Sequence, residues 1–245
     1  MNGSQPQRVA LVTSGAVRLG RAISLGLVGA GYDLVVVYRS SEEPARSLRK
    51  EALAAGRRCE LMKADLTEPA ASETVVEYAK GTYGRLDLLV NSAASFEPRP
   101  LLAVEAEHWD RVMSLNVRAP HLLVRAAAKM LADTKGSVIN ITDLSAFQPW
   151  LDYPHHSVSK AALTQLTRIQ ARALAPNVRV NAIAPGAVMR PAGWPDDQWQ
   201  ELVNKAPLGS TGSPSDVVEA ALYLAGASYV TGQVLTVDGG RLLCP

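Results

Sequence analysis

Short runs of β-branched and aliphatic residues alternate with longer amphipathic stretches along most of this chain, and that alternation leaves few folds open. Residues 8–13, 33–38, 58–64, 86–90, 137–141, 178–183 and 233–237 read as strands. Residues 18–29, 42–55, 68–83, 105–131 and 157–174 read as helices between them. The strand runs are almost continuously apolar, as strands covered on both faces are. Strands of that kind joined by helices form a parallel sheet, and right-handed crossovers place helices on both sides of it. The expected fold class is α/β: a single-domain, doubly wound parallel sheet of Rossmann type.

No linker, repeat or low-complexity tract interrupts the pattern, so one domain is expected over residues 8–245, after a flexible polar tail at residues 1–7. A chain of 245 residues, 47% hydrophobic, can fill one such core but not two generous ones. The net charge of +2 and the scatter of its basic residues give no argument for nucleic acid. Cys59 and Cys244 lie far apart, match no metal or redox spacing, and fit a reducing compartment. No apolar run reaches the roughly 18 residues a membrane helix needs, and the tail lacks a signal peptide's apolar core. The expectation is a soluble, cytoplasmic protein with no metal, nucleic-acid or membrane partner.

The first strand leads into Thr13-Ser14-Gly15-Ala16-Val17-Arg18-Leu19-Gly20 and then a helix. Glycines at such a turn let the backbone approach a pyrophosphate, to which the helix N-terminus offers free N–H groups. Gly15 and Gly20 do not complete a G-x-G-x-x-G, and a tight structural turn would also need them. After the second strand comes Tyr38-Arg39-Ser40-Ser41, where an NAD site carries a carboxylate for the ribose. Arg39 and the serines suit a 2′-phosphate instead, and Arg18 adds a second cation, so NADP(H) is the expected cofactor; either arginine alone could be a solvated surface charge. Asp65, followed by Leu66, could accept from an adenine amino group or cap the next helix. Residues 187–213 lapse into Pro, Gly, Trp and Asp around Trp194. Beyond a strand's carboxyl end, such an insert is a natural substrate lid, or else a surface excursion with buried tryptophans.

Taken in order, these motifs resemble the short-chain dehydrogenase/reductases, most closely their pteridine reductase branch, from Arg8 to about Leu242. The turn is similar to that branch's T-G-A-x-K-R-L-G, with Ser14 in place of the first glycine. Asn91-Ser-Ala93-Ala-Ser-Phe96 is similar to its N-N-A-S-S-F segment, and Val237-Asp-Gly-Gly240 to the family's last strand. The resemblance implies that Pro185 and Gly186 lie beside the nicotinamide and that Asn116 belongs to the proton relay. It implies that Lys160 holds the nicotinamide ribose, and that Asp143, Arg18 and Tyr153 face substrate. By the same resemblance Phe96 stacks a flat heterocycle, although it could equally be ordinary core. Trp194 is the lid's candidate substrate contact, and a homotetramer is the family expectation.

One position departs from the pattern. Four residues before Lys160, where the family has its proton-donating tyrosine, stands His156. A phenol titrates near pH 10 and needs a nearby cation to lower it, whereas an imidazole starts near 6.5. Three readings follow: His156 gives the proton, a water held by Asp143 near Tyr153 gives it, or catalysis is lost and only cofactor binding remains. His155 reads as a surface residue. The expected activity is an NADPH-dependent reductase adding hydride to a C=N or C=O carbon of a small substrate, pterins or dihydrofolate-like molecules first, carbonyl compounds otherwise. The rival is a non-catalytic NADP-binding sensor or assembly protein; an oxidative alcohol dehydrogenase fits Arg18, Arg39 and Asp143 less well.

Overall fold

A computed structural model describes residues 7–191 and 193–244, so all but Gln7 of the expected tail lies outside it. Seven parallel strands form one sheet: β1 (Arg8–Thr13), β2 (Tyr32–Tyr38), β3 (Cys59–Lys63), β4 (Leu88–Asn91), β5 (Ser137–Ile141), β6 (Arg179–Pro185) and β7 (Val234–Val237). Their order is β3-β2-β1-β4-β5-β6-β7. The strands are laid down outward in one direction from β1 to β3 and in the other from β4 to β7, and the crevice outside the carboxyl ends of β1 and β4 is where open α/β sheets take ligands.

Alternate residues of each strand feed two cores. Ala10 and Val12 pack with Ile23 and Leu27 of α1 (Arg18–Gly29), Leu48 of α2 (Glu42–Ala54) and Val217 and Leu224 of α8 (Pro214–Gly226). Val9 and Leu11 point the other way, toward Val75 of α3 (Pro69–Tyr83), Leu123 and Ala127 of α5 (Ala119–Thr134) and Ala171 of α6 (Pro154–Leu174). Both faces are therefore dry, as the unbroken apolar strands require. Gln7, at the edge of the expected tail, donates its side-chain amide to the buried Asp33.

Several boundaries differ from the sequence expectation. The helix expected over 105–131 is interrupted: α4 (Ala106–Met113) passes through a π-helical turn, Ser114–Arg118, into α5. Pro120 has no N–H to return to the carbonyl of Asn116, so the α-helical ladder cannot close at that level. Helix α6 starts three residues before the expected 157, because Pro154 at its first turn is already set at a helical φ. The expected lid is not structureless: it holds α7 (Asp196–Asn204). Helix α8, unassigned above, is opened by a capping box in which Ser213 N donates to Asp216 Oδ2 at 2.6 Å. No described helix is long and apolar enough to cross a membrane.

Candidate active site

The turn after β1 keeps a glycine-type path with one glycine fewer than usual. Ser14 and Arg18 both adopt left-handed backbone, with φ of 51° and 49°. A Cβ on Gly20 would stand 2.3 Å from the Ser14 carbonyl oxygen, and one on Gly15 would stand 2.9 Å from Ser24 Oγ. Both glycines are therefore demanded by the close seating of α1 against the turn. Thr13 stitches β1 to the end of β4: its Oγ accepts from Ser92 N at 2.9 Å and Ala93 N at 3.0 Å. Leu19 packs against the α1 core.

Beyond this turn lies a groove of about 400 Å³ lined by Ser14, Arg39, Ser40, Asp65, Leu66 and Phe96, among others. Arg39 is mostly exposed and stands 3.9 Å from Asp65, so its guanidinium remains available to a ligand. The Asp65 carboxyl folds back on its own chain: Oδ1 accepts from Thr67 Oγ at 2.7 Å and Thr67 N at 2.9 Å. Those bonds to Thr67 hold it below the ordinary carboxylate range. Asp65 thus caps the turn into α3, and the adenine reading has only its outer oxygen left. A groove with an arginine and two serines after β2, above a glycine-cradled helix end, fits a dinucleotide bearing a 2′-phosphate. Arg18 does not line the groove; its Nη2 donates to the Arg190 carbonyl at 3.3 Å, tying the turn to the lid. Pro185 and Gly186 are fixed at the carboxyl end of β6, where Gly186 N donates to the Val237 carbonyl at 2.9 Å.

The chemical residues meet at the carboxyl ends of β4 and β5. Asp143 lies two residues beyond β5, while α6 presents His156 and Lys160 one turn apart, so all three converge although separated in sequence. His156 Nε2 stands 2.5 Å from Asp143 Oδ2, and its Nδ1 stands 2.8 Å from the Ser95 carbonyl oxygen. Asp143 Oδ1 accepts from Ser145 Oγ at 2.5 Å and Ser145 N at 2.8 Å. Lys160, buried, donates to the Ile141 carbonyl at 2.8 Å. Burial alone would raise the Asp143 carboxyl, but the His156 hydrogen bond and the Lys160 charge outweigh it and hold it below the usual carboxylate value. Burial lowers the Lys160 ammonium, with Asp143 opposing.

Asn116, at the centre of the π turn, is the other buried member. Its Oδ1 accepts from Ser95 N at 2.9 Å and its Nδ2 donates to Ser159 Oγ at 2.9 Å, which fixes the strand-end loop under His156. Asn91 Nδ2 donates to Asn140 Oδ1 at 2.8 Å and pins β4 to β5 just below. Ser95, Ser145 and Ser159 were not singled out from the sequence. Ser95 acts through a backbone carbonyl, which no side-chain pattern reveals; Ser145 and Ser159 sit beside residues that were.

An aromatic wall flanks the pair. Phe96 stacks on Tyr153 with ring centroids 4.3 Å apart and planes within 5°, and meets the His156 ring edge-on at 5.0 Å. One face of Phe96 is therefore already occupied by Tyr153. Burial and the Asp152 charge raise the Tyr153 phenol, with Trp194 at its hydroxyl opposing. His155 is not a surface residue but fully buried, because α6 begins early and places it inside its first turn. Among the described residues no group of three or more His, Cys, Asp or Glu is arranged to hold a metal ion.

A family model described as enoyl-(acyl carrier protein) reductase matches residues 15–241. An uncharacterized oxidoreductase of Mycobacterium tuberculosis (strain CDC 1551 / Oshkosh) is 35% identical over 241 residues, 95% of this chain and 91% of that protein. A 2-dehydro-3-deoxy-D-gluconate 5-dehydrogenase of Dickeya dadantii (strain 3937) is 32% identical over 244 residues, covering 96% and 95%. The solved structure of a blue fluorescent protein from a metagenomic library, in complex with NADPH, is similar with a TM-score of 0.90 at 35% identity, covering 96% of this chain and 97% of that one. With its doubly wound sheet, its glycine-cradled turn and matches along nearly its whole length, the chain belongs to the short-chain dehydrogenase/reductase family.

Proposed function

We propose that this chain is an NADPH-dependent reductase of a small, flat substrate, adding hydride to a C=N or C=O carbon, with the Asp143–His156–Lys160 cluster handling the proton. The observation that carries the proposal is the 2.5 Å Asp143–His156 pair, buried beside Lys160 and next to the groove. A site emptied of chemistry has no need to keep an ion pair and a buried lysine in register, since such groups cost desolvation. Arg39, Ser40 and the missing carboxylate after β2 support NADPH over NADH. When bound, NADPH supplies the hydride. Lys160 lends positive charge, Asp143 and His156 hold the proton, and the Phe96–Tyr153–Trp150 wall favours a planar ring such as a pteridine or dihydrofolate. Residence in the cytoplasm, and a homotetramer packed through α4 to α6 and the C-terminal region, belong to the same reading.

The test is to titrate the protein with NADPH by fluorescence and then assay a panel of pterins, dihydrofolate and carbonyl compounds. Tight binding with NADPH consumption on a pterin is the expected result. Tight binding with no turnover on any compound would favour the non-catalytic sensor or assembly protein.

A further inference from the structure

Resting on that reading, we infer that Asp143 is the group that meets the substrate, and that His156 acts through it as an internal source of the proton. The hydrogen-bond partners determine the direction. A backbone carbonyl only accepts, so the 2.8 Å contact to Ser95 O, much closer than the 3.4 Å approach of the Asn116 amide to the same nitrogen, places a hydrogen on His156 Nδ1. Nε2 faces a carboxylate oxygen at 2.5 Å, which leaves one proton held between Nε2 and Oδ2. Neither ring nitrogen is then free for a substrate. The His156 side chain is 3% exposed, against 18% for Asp143. A carboxylate offers about four lone-pair positions. Ser145 takes two and His156 one, so a single position stays open on Asp143. Asp143 itself stands just past the end of β5, on the carboxyl edge of the sheet, where ligands bind.

Other titratable groups surround the pair without competing for that position. Lys160 is turned to the Ile141 carbonyl, His155 is buried in the first turn of α6, and Glu97 is paired with Arg111 at 2.8 Å. Ser145 and Asn116 are positioning residues: Ser145 orients the carboxylate, and Asn116 holds the Ser95 backbone whose carbonyl fixes the ring.

The step balances as follows. Hydride from the nicotinamide reaches the substrate carbon, and the π pair of C=N or C=O moves to the nitrogen or oxygen. That atom takes, through Asp143 Oδ2, the single proton held between Oδ2 and His156 Nε2. The pair loses one proton overall, leaving a neutral imidazole with Nδ1–H and a carboxylate, and solvent restores it. The nicotinamide is oxidised by two electrons and the substrate reduced by two.

Two measurements test the assignment. On the cofactor-free protein, mass spectrometry follows carbodiimide–amine coupling at Asp143 and diethyl pyrocarbonate modification at His156. Faster modification of Asp143 is expected; an equal or reversed order overturns the inference, whether or not a substrate is known. On the enzyme, the pH dependence of kcat is compared for His156→Gln and Asp143→Asn. The glutamine amide can still donate to Oδ2, so His156→Gln should lose about 100-fold in kcat at pH 7, a typical general-acid contribution, with KM nearly unchanged. It should recover as pH falls and Asp143 takes its proton from solvent instead. Asp143→Asn should stay inactive throughout. An active Asp143→Asn beside a His156→Gln that is silent at every pH would make His156 the donor. A wild type that turns over nothing rejects the reductase reading alone, and the labelling order still decides between the two residues.

Discussion

Nε2 of His156 and Oδ2 of Asp143 stand 2.5 Å apart, one on the first turn of a helix and the other just past a strand end. The pair joins α6 to the edge of the sheet as well as serving chemistry, so it contributes to stability with a definite pH dependence. The folded carboxyl lies below its usual value. Its contribution is therefore complete above the unfolded value, near pH 3.9, and is lost as pH falls through the lower folded value. Asp143→Asn removes one member of a buried pair and is expected to cost about 3 kcal/mol at pH 7, a fall in Tm of roughly 6–12 °C for a chain of this size. Thermal melts between pH 3 and pH 7 should show the two proteins converging at the acid end. A constant gap across that range would show that the pair is not what Asp143 contributes.

Arg39 should set cofactor preference without affecting the fold. It is mostly exposed and its 3.9 Å approach to Asp65 is a surface ion pair of little worth. A charge-assisted bond to a 2′-phosphate is worth about 1.5–3 kcal/mol, so Arg39→Ala should weaken NADPH roughly 10- to 100-fold. NADH binding and Tm should stay nearly constant. Equal loss for both cofactors would mean that Arg39 does not contact the 2′-phosphate.

The turn after β1 carries strain that a substitution should relieve. Ser14 holds a φ of 51°, a conformation that costs a non-glycine residue about 1–2 kcal/mol, while glycine adds about 0.5–1 kcal/mol of chain entropy. Ser14→Gly should therefore gain roughly 0.5 kcal/mol, or about 1–2 °C in Tm, with NADPH affinity retained. Gly20→Ala should do the opposite, because its Cβ would enter the Ser14 carbonyl at 2.3 Å. Differential scanning calorimetry of both variants checks the pair of signs.

The strands were legible because each is a nearly unbroken apolar run, and a sheet dry on both faces needs such runs. The convergence of Asp143, His156 and Lys160 was legible only through spacing shared with a known family. Periodicity hid the π turn, since apolar spacing continues through it, although Pro120 carries the missing N–H that breaks the ladder. The Ser213–Pro214–Asp216 cap announced α8 as plainly as any helix start, but the Pro- and Gly-rich stretch before it masked the change of pattern. His155 could not be placed from its neighbours, because its burial depends on where α6 begins and on which layer covers the first turn. The orientation of His156 was least legible of all, for it is set by the Ser95 carbonyl, a backbone atom.

Lys160 should show function held at the expense of stability. Its ammonium is buried, and burial lowers its pKa despite the opposing Asp143. The unfolded chain binds its proton more tightly, so the charge is a net cost at neutral pH. That cost is relieved as pH rises from the folded value toward about 10.4. Asp143 is paired with His156, while the Lys160 ammonium donates to the Ile141 carbonyl rather than to a carboxylate. Lys160→Met keeps the length of the stem and leaves the Asp143–His156 pair in place, so it should stabilise the protein by about 1 kcal/mol, or roughly 2–4 °C in Tm at pH 7. The gap should narrow as pH rises toward 10, while turnover at pH 7 falls at least about 100-fold with the loss of a preorganised charge. Melts of the two proteins at pH 7 and pH 10, beside one activity assay, decide it: a methionine variant less stable at pH 7 would show that the lysine pairs well enough to offset its burial.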